Sequence, residues 1–467
     1  MSKHKQISDK LGFIAIVFLT INLIIGSGIF LTPGTVVRQV GSKSLLVYLL
    51  AAVFAAVLAL PFASASKYVN KSGSSYAYAK AAFGDKFGFY IGITCYFAND
   101  AVWCTSSVGI VKAIIAILGG NPNRFMSITA GLLLLMLLNL IINLFGQRIT
   151  KYVMNLSTVC KTLSLVVLIV AGAIILMTTG GNYDLSAVDR IREGGKIIVP
   201  EVTVSTFMMA VVSALYAFSG FEAVASGAED MEEPEKNLPR AIPLAVILIA
   251  FIYIGVLAVA MLLNPSALMK TNQVVALATI FNNPLLNNIV LAGALISMLG
   301  INFAYSFSAP RFLEAMAREH QLSTRLTKRT KRNFPIRTFF ISAAITTLIP
   351  MAFQYELTNL VTLGSIVRFL EFAVVPVAVI QFYRGHTKGK VLPANKNLLT
   401  DVVASVLSVI IVLFMLVEYN WRVQFGIIVN GHVVGVNWYA ILAVVFGFVI
   451  LPLLMYLISR REWQDAE

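Results

Sequence analysis

Apolar runs of roughly 20 residues, each long enough to cross the hydrocarbon of a bilayer, recur along the whole chain and are separated by short polar loops. Twelve such runs are expected, near 12–38, 45–67, 86–117, 126–146, 150–178, 202–228, 240–263, 286–317, 336–354, 357–383, 397–419 and 436–459. With 58% hydrophobic and only 12% charged residues, against about a quarter charged in ordinary soluble domains, the chain reads as an all-α integral membrane protein. Backbone polar groups in lipid have to be satisfied within the segment, which is why the runs are read as helices. Residues 1–467 form a single transmembrane domain, because no loop is long or polar enough to set off a soluble one. The basic stub before the first run lacks a small-residue cleavage site, so the first helix is expected to stay.

The net charge of +14 is distributed for a membrane rather than for nucleic acid. With both termini on the cytoplasmic side, 25 of the 36 Lys and Arg fall in cytoplasmic loops and 8 outside, the positive-inside bias of a multi-pass protein of the plasma (inner) membrane. Cys95, Cys104 and Cys160 lie inside spans and read as small apolar residues, not a disulfide or metal framework. His4, His320, His386 and His432 lie in loops or tails, so neither a histidine relay nor a metal or cofactor is expected.

The first run contains Gly26-Ser27-Gly28 in mid-membrane, and the sixth repeats the oddity with Ser219-Gly220. Glycine costs a helix interior about 1 kcal/mol against alanine, so both helices are expected to break. The breaks lie five spans apart. Five is odd, so the second group of five helices enters the membrane in the opposite sense: 12–178 and 200–383 become inverted repeats, and 397–459 holds helices eleven and twelve outside them. A broken helix in hydrocarbon exposes unpaired N–H and C=O groups that a ligand can use. Free N–H groups near Ser27 and Gly28 suit a carboxylate, and freed carbonyls near Ile24, Ile25, Ala217 and Phe218 suit an ammonium, together a clamp for a zwitterion.

Three stretches, "GSGIFLTPG", "AFSGFEAVASGAEDMEEPEKNLPRAI" and "SAPRFLEAMAREHQLS", resemble the amino acid-polyamine-organocation (APC) superfamily of secondary transporters. The resemblance implies twelve helices in a LeuT-like fold with a 5+5 inverted repeat, helices one and six broken, and alternating access to a small-molecule substrate, an amino acid or amine. By this resemblance Ile24, Gly26, Ser27 and Gly28 form the backbone site, Tyr216 is an aromatic gate, Ser219 touches substrate and Glu222 links binding to closure. Asn99 looks like the polar contact from span three. Asn302 stands where arginine exchangers of the superfamily have an aromatic residue, which turns the expectation away from arginine. Lys161 matches the lysine that takes the place of sodium in sodium-independent members and is assigned to coupling.

Charges well inside a span mark functional sites by default. Arg368 and Glu371, three apart, are expected to pair. Asp100 is turned some 100° from Asn99 and is expected to face a neighbouring span. The favoured function is sodium-independent transport of neutral L-amino acids, as proton symporter or exchanger. Polyamine, amine or cationic amino acid antiport stands as the alternative, since Asp100 in the pocket would favour a cation. A channel or membrane enzyme is remote, for no filter loop and no clustered catalytic constellation is seen. No accessory subunit is evident, and nucleic acid is not expected as a partner.

Overall fold

The computed structural model describes residues 10–26, 28–180, 185–193, 196–270, 277, 280–353, 355, 357–418, 421–429 and 432–464. Ser27 and residues 1–9, His4 among them, lie outside them. Helices dominate: α1 (Phe13–Ile24), α2 (Gly28–Val40), α3 (Ser44–Tyr68), α4 (Ser75–Phe83), α5 (Asp85–Ile117), α6 (Phe125–Leu144), α7 (Gln147–Thr179), α8 (Val204–Phe218), α9 (Pro234–Leu263), α10 (Pro265–Lys270), α11 (Pro284–Arg318), α12 (Ile336–Ala352), α13 (Leu357–Arg384), α14 (Ala404–Glu418), α15 (Trp421–Gln424), α16 (Trp438–Val445) and α17 (Leu451–Gln464). Among the described residues nine helical stretches are long and apolar enough to cross a membrane, and Phe13–Ile24 and Ile336–Ala352 are shorter apolar helices. The chain is a predominantly helical, multi-pass membrane protein.

Local chemistry sets several of the ends. Thr203 and Thr206 form a reciprocal capping box at the start of α8, and Asn283 accepts from the N–H groups of Leu285 and Leu286 at the start of α11, with Pro284 at the first position. Two features do not follow from the twelve apolar runs. The short helix α4 fills the loop between the second and third runs, and an antiparallel hairpin, Gly426–Val429 with His432–Val436, precedes α16. A second small pair, Arg192–Glu193 with Lys196–Ile197, lies in the loop before α8.

The first run is indeed two helices, α1 and α2, separated at Ile25–Gly26, and the sixth is α8 followed by a 3₁₀ segment, Phe221–Asp230. Gly220 has φ +125°, a conformation that side-chain-bearing residues rarely adopt. A methyl group there would sit 2.3 Å from the carbonyl oxygen of Leu23, so the two breaks meet backbone to backbone. α1 packs against α7, α9 and α11, and α2 against α8. The breaks are therefore enclosed by protein, as unpaired backbone in a membrane must be.

Candidate functional site

Between the breaks lies a cavity lined by Ile24, Gly26 and Gly28, Val102 and Ser106 of α5, Tyr216 and Ser219, Ile301 and Tyr305 of α11, and Arg368 of α13. Its volume of ≈20 Å³ is room for about one water, so in this conformation the site is shut around its own side chains. Of the substrate contacts expected from sequence, Ile24, Gly26, Gly28 and Ser219 line it, and so does the expected gate, Tyr216.

The others are held elsewhere. Asn99 donates to the carbonyl of Cys95, one turn back, at 2.8 Å. Asn302 donates to Ser107 Oγ at 2.6 Å and accepts from Asn139 at 2.7 Å, tying α11 to α5 and α6. Ala217 is the wall against which Gly28 rests: a methyl on Gly28 would lie 2.7 Å from the Cα of Ala217. Phe218 is buried against the ring of Tyr253 at 5.0 Å. From α5 the cavity instead takes Val102 and Ser106, one and two turns beyond Asn99 on the helix.

The expectation that the Ile24 and Ile25 carbonyls are free for an ammonium needs correction, because side chains already satisfy them. Lys161, fully buried, donates from Nζ to the carbonyls of Asn22 (2.8 Å) and Ile25. Ser297 Oγ lies 3.1 Å from the carbonyls of both Ile25 and Gly26, and Tyr253 reaches Ile24 O at 3.4 Å. An ammonium at the C-terminal, negative end of α1 is electrostatically well placed. It sits behind the break rather than in the cavity.

The expected Arg368–Glu371 pair is also corrected. Arg368 forms its ion pair with Glu222, on the broken sixth helix, and donates to Tyr305 Oη at 3.1 Å. Glu222 Oε2 in turn accepts from the N–H of Gly220 at 2.8 Å. Glu371 accepts from Ser75 Oγ at 3.3 Å instead. A long guanidinium is free to leave its own helix and cross to the freed backbone and carboxylate of the break, where the three polar groups neutralise one another. Asp100, buried, accepts from Thr346 of α12 at 3.2 Å, so it faces a neighbouring helix and not the cavity.

One cluster was not singled out by sequence reasoning. Buried Arg311 of α11 pairs with Asp230 at 2.9 Å; Arg329 joins Asp230 (3.2 Å) and Glu314 (2.5 Å), and Arg318 joins Glu314 (2.9 Å) and Glu229. Glu319 is held by Lys71 and by Lys80 (2.9 Å). Burial opposes its charge, but the hydrogen bonds from those two lysines outweigh it and keep the carboxyl below the ordinary glutamate range. Leu11 adds backbone bonds to Asp230 and Glu232, each 2.9 Å. The network ties the chain before α1, the segment after the sixth-helix break, the C-terminal end of α11 and Arg329 together. Its signal in the sequence was Arg311, an arginine well inside an apolar run.

An amino acid permease family model matches residues 11–451. The chain belongs to the amino acid permease family. An uncharacterized transporter of Mycobacterium tuberculosis is 36% identical, with 96% of this chain and 94% of the relative covered. The serine/threonine exchanger SteT of Bacillus subtilis is 24% identical over 69% of this chain and 71% of its own length. The human large neutral amino acids transporter small subunit 2 is 26% identical, with 79% and 68% covered. This permease is thus an amino acid transporter of the APC superfamily and not an enzyme.

Gly28 gives a first expected outcome. Valine there drives its side chain into the Ala217 backbone, which cannot yield as a flexible side chain would, so folded yield and thermal stability fall together with transport. Fluorescence-detected size exclusion of Gly28→Val beside wild type checks this. A variant that is fully folded but inactive would mean that the space beside Gly28 belongs to the substrate and not to α8.

Proposed function

We propose that the permease is a sodium-independent secondary transporter of neutral L-amino acids, working by alternating access across the plasma (inner) membrane as a proton symporter or an exchanger. In this reading it has twelve spans in a LeuT-like arrangement, residues 12–178 and 200–383 are inverted repeats within one domain, 397–459 adds two helices, and both termini are cytoplasmic. The observation that carries the reading is the amino group of Lys161 seated on the carbonyls of Asn22 and Ile25 at the end of α1. A fixed cation there takes the place that a coupling ion would need, and two unit charges 4 Å apart repel by about 4 kcal/mol even at an effective dielectric of 20.

The carboxylate of the substrate is assigned to the N–H groups opening α2 at Gly28, and Ser219 and Tyr216 to the opposite wall, with Tyr216 closing over it. The relatives named for serine and threonine exchange and for large neutral amino acids support a neutral substrate. Asp100, the argument for an amine or cationic substrate, faces α12. Asp100→Asn is therefore expected to leave the substrate order unchanged, and esterifying the carboxylate of the preferred amino acid to cost it most of its affinity, roughly 100-fold or more. Competition of ester and parent against tritiated neutral amino acids in proteoliposomes reads both. Equal affinity for the ester, or a switch in substrate order in Asp100→Asn, would favour the amine reading.

A further inference from the structure

We infer that Glu371 is a proton-binding carboxylate coupled to the substrate cavity through Arg368, an inference that rests on the transporter reading and assigns its coupling ion. Glu371 is buried on α13, one turn beyond Arg368. Its Oε2 accepts one long hydrogen bond, 3.3 Å from Ser75 Oγ at the start of α4, and its Oε1 has no hydrogen-bond partner among the described residues. The thiol of Cys95 on α5 is its other polar neighbour, and Tyr305 of α11 and Arg368 complete the titratable groups that face it. Arg368 is committed to Glu222 and Tyr305. One guanidinium thus stands among two buried carboxylates. With all three ionised the group carries one uncompensated negative charge, which costs several kcal/mol in the interior, and one proton on Glu371 brings it to zero.

The position of the group makes that proton useful. Arg368 and Tyr305 line the cavity between the breaks, so a substrate entering there acts on the guanidinium that lies one turn from Glu371 on α13. On the other side, Ser75 precedes Tyr76, which with Ser72 lines a separate depression of ≈270 Å³ beside Lys71, Lys80 and Glu319, at the end of the bundle where α4 begins and α11 ends. Glu371 therefore stands between the substrate cavity and that end. The balance is simple: Glu371 takes a proton from water on one side while substrate binds, the trio moves from a charge of −1 to 0, and the proton leaves to the other side with the substrate. A zwitterion and a proton together carry one positive charge across.

The test uses full-length protein in proteoliposomes with an equimolar mixture of tritiated L-serine, L-threonine and L-leucine. Under an inward proton gradient wild type is expected to accumulate substrate, and a membrane potential negative inside to increase it. Glu371→Gln is expected to lose accumulation roughly 10-fold or more, and its exchange against internal substrate to become independent of pH between about 5 and 8. Glu371→Asp, which keeps a carboxyl, restores gradient-driven uptake with a displaced pH profile, which separates loss of the proton site from loss of folding. Infrared difference spectra between the same pH limits give a readout without substrate: a carboxylic acid band present in wild type is expected to vanish in Glu371→Gln. Accumulation by Glu371→Gln equal to wild type, exchange by wild type that ignores the gradient, or an unchanged infrared band would overturn the inference. If wild type takes up none of the three amino acids while the infrared band still depends on Glu371, the substrate reading fails and the proton site stands.

Discussion

Lys161→Ala is expected to lose at least about 99% of uptake, in a protein whose wild-type uptake is unchanged when sodium is replaced by choline. The ammonium closes two backbone acceptors at the end of α1, the carbonyls of Asn22 and Ile25. Leaving a buried acceptor unmade costs about 1–3 kcal/mol, more where a charged donor is removed, and each 1.36 kcal/mol is tenfold in a rate or population. The Asn22 carbonyl is then orphaned and the Ile25 carbonyl keeps only Ser297, a loss at the hinge between α1 and α2 of about 2–3 kcal/mol, which suffices for a hundredfold effect. Ser297 still covers the Ile25 and Gly26 carbonyls, so the variant is expected to fold, with a lowered melting temperature. Initial rates in proteoliposomes, set beside melting curves in detergent, check both halves. Wild-type activity in Lys161→Ala would remove the lysine from the coupling machinery.

The second large effect is at Glu222 and Arg368. Removing one member of a buried ion pair strands the other and costs about 3–5 kcal/mol, whereas replacing both by apolar groups is often nearly neutral. Arg368→Met is expected to destabilise strongly and Glu222→Gln less, since Glu371 lies one turn from Arg368, and the double variant to be no worse than Arg368→Met alone. Such non-additivity is the signature of a direct contact. It is read from thermal midpoints with and without substrate. Additive losses would mean that the two residues act separately. Transport is expected to stay low in the double variant even where stability recovers, because Arg368 also lines the cavity and Glu222 also holds the N–H of Gly220.

These two sites show where sequence reasoning reaches and where it stops. The helix breaks were legible because glycine acts locally: Gly26, Gly28 and Gly220 announce in the chain itself what the backbone does. Lys161 was legible because a lysine in hydrocarbon needs a reason. The partner of Arg368 was not, since three-residue spacing with Glu371 describes neighbours on one helix while a guanidinium on a flexible stem crosses to another. Asn99 and Asn302 failed for a related reason. Their helical positions were right, but a short amide goes to the nearest unmet carbonyl or hydroxyl, here Cys95 and Ser107, and only the packed structure says which that is. The Asp230–Arg311 bond joins two of the stretches that carried the family resemblance, 81 residues apart in the chain, and nothing in either stretch names the other.

The most direct test of the central claim is uptake of tritiated neutral L-amino acids by the purified protein in sodium-free proteoliposomes. Saturable uptake, blocked by excess of the unlabelled L-isomer but not by the D-isomer and indifferent to added sodium, is the predicted result. Uptake that appears only with sodium, or flux that neither saturates nor distinguishes the isomers, would contradict it.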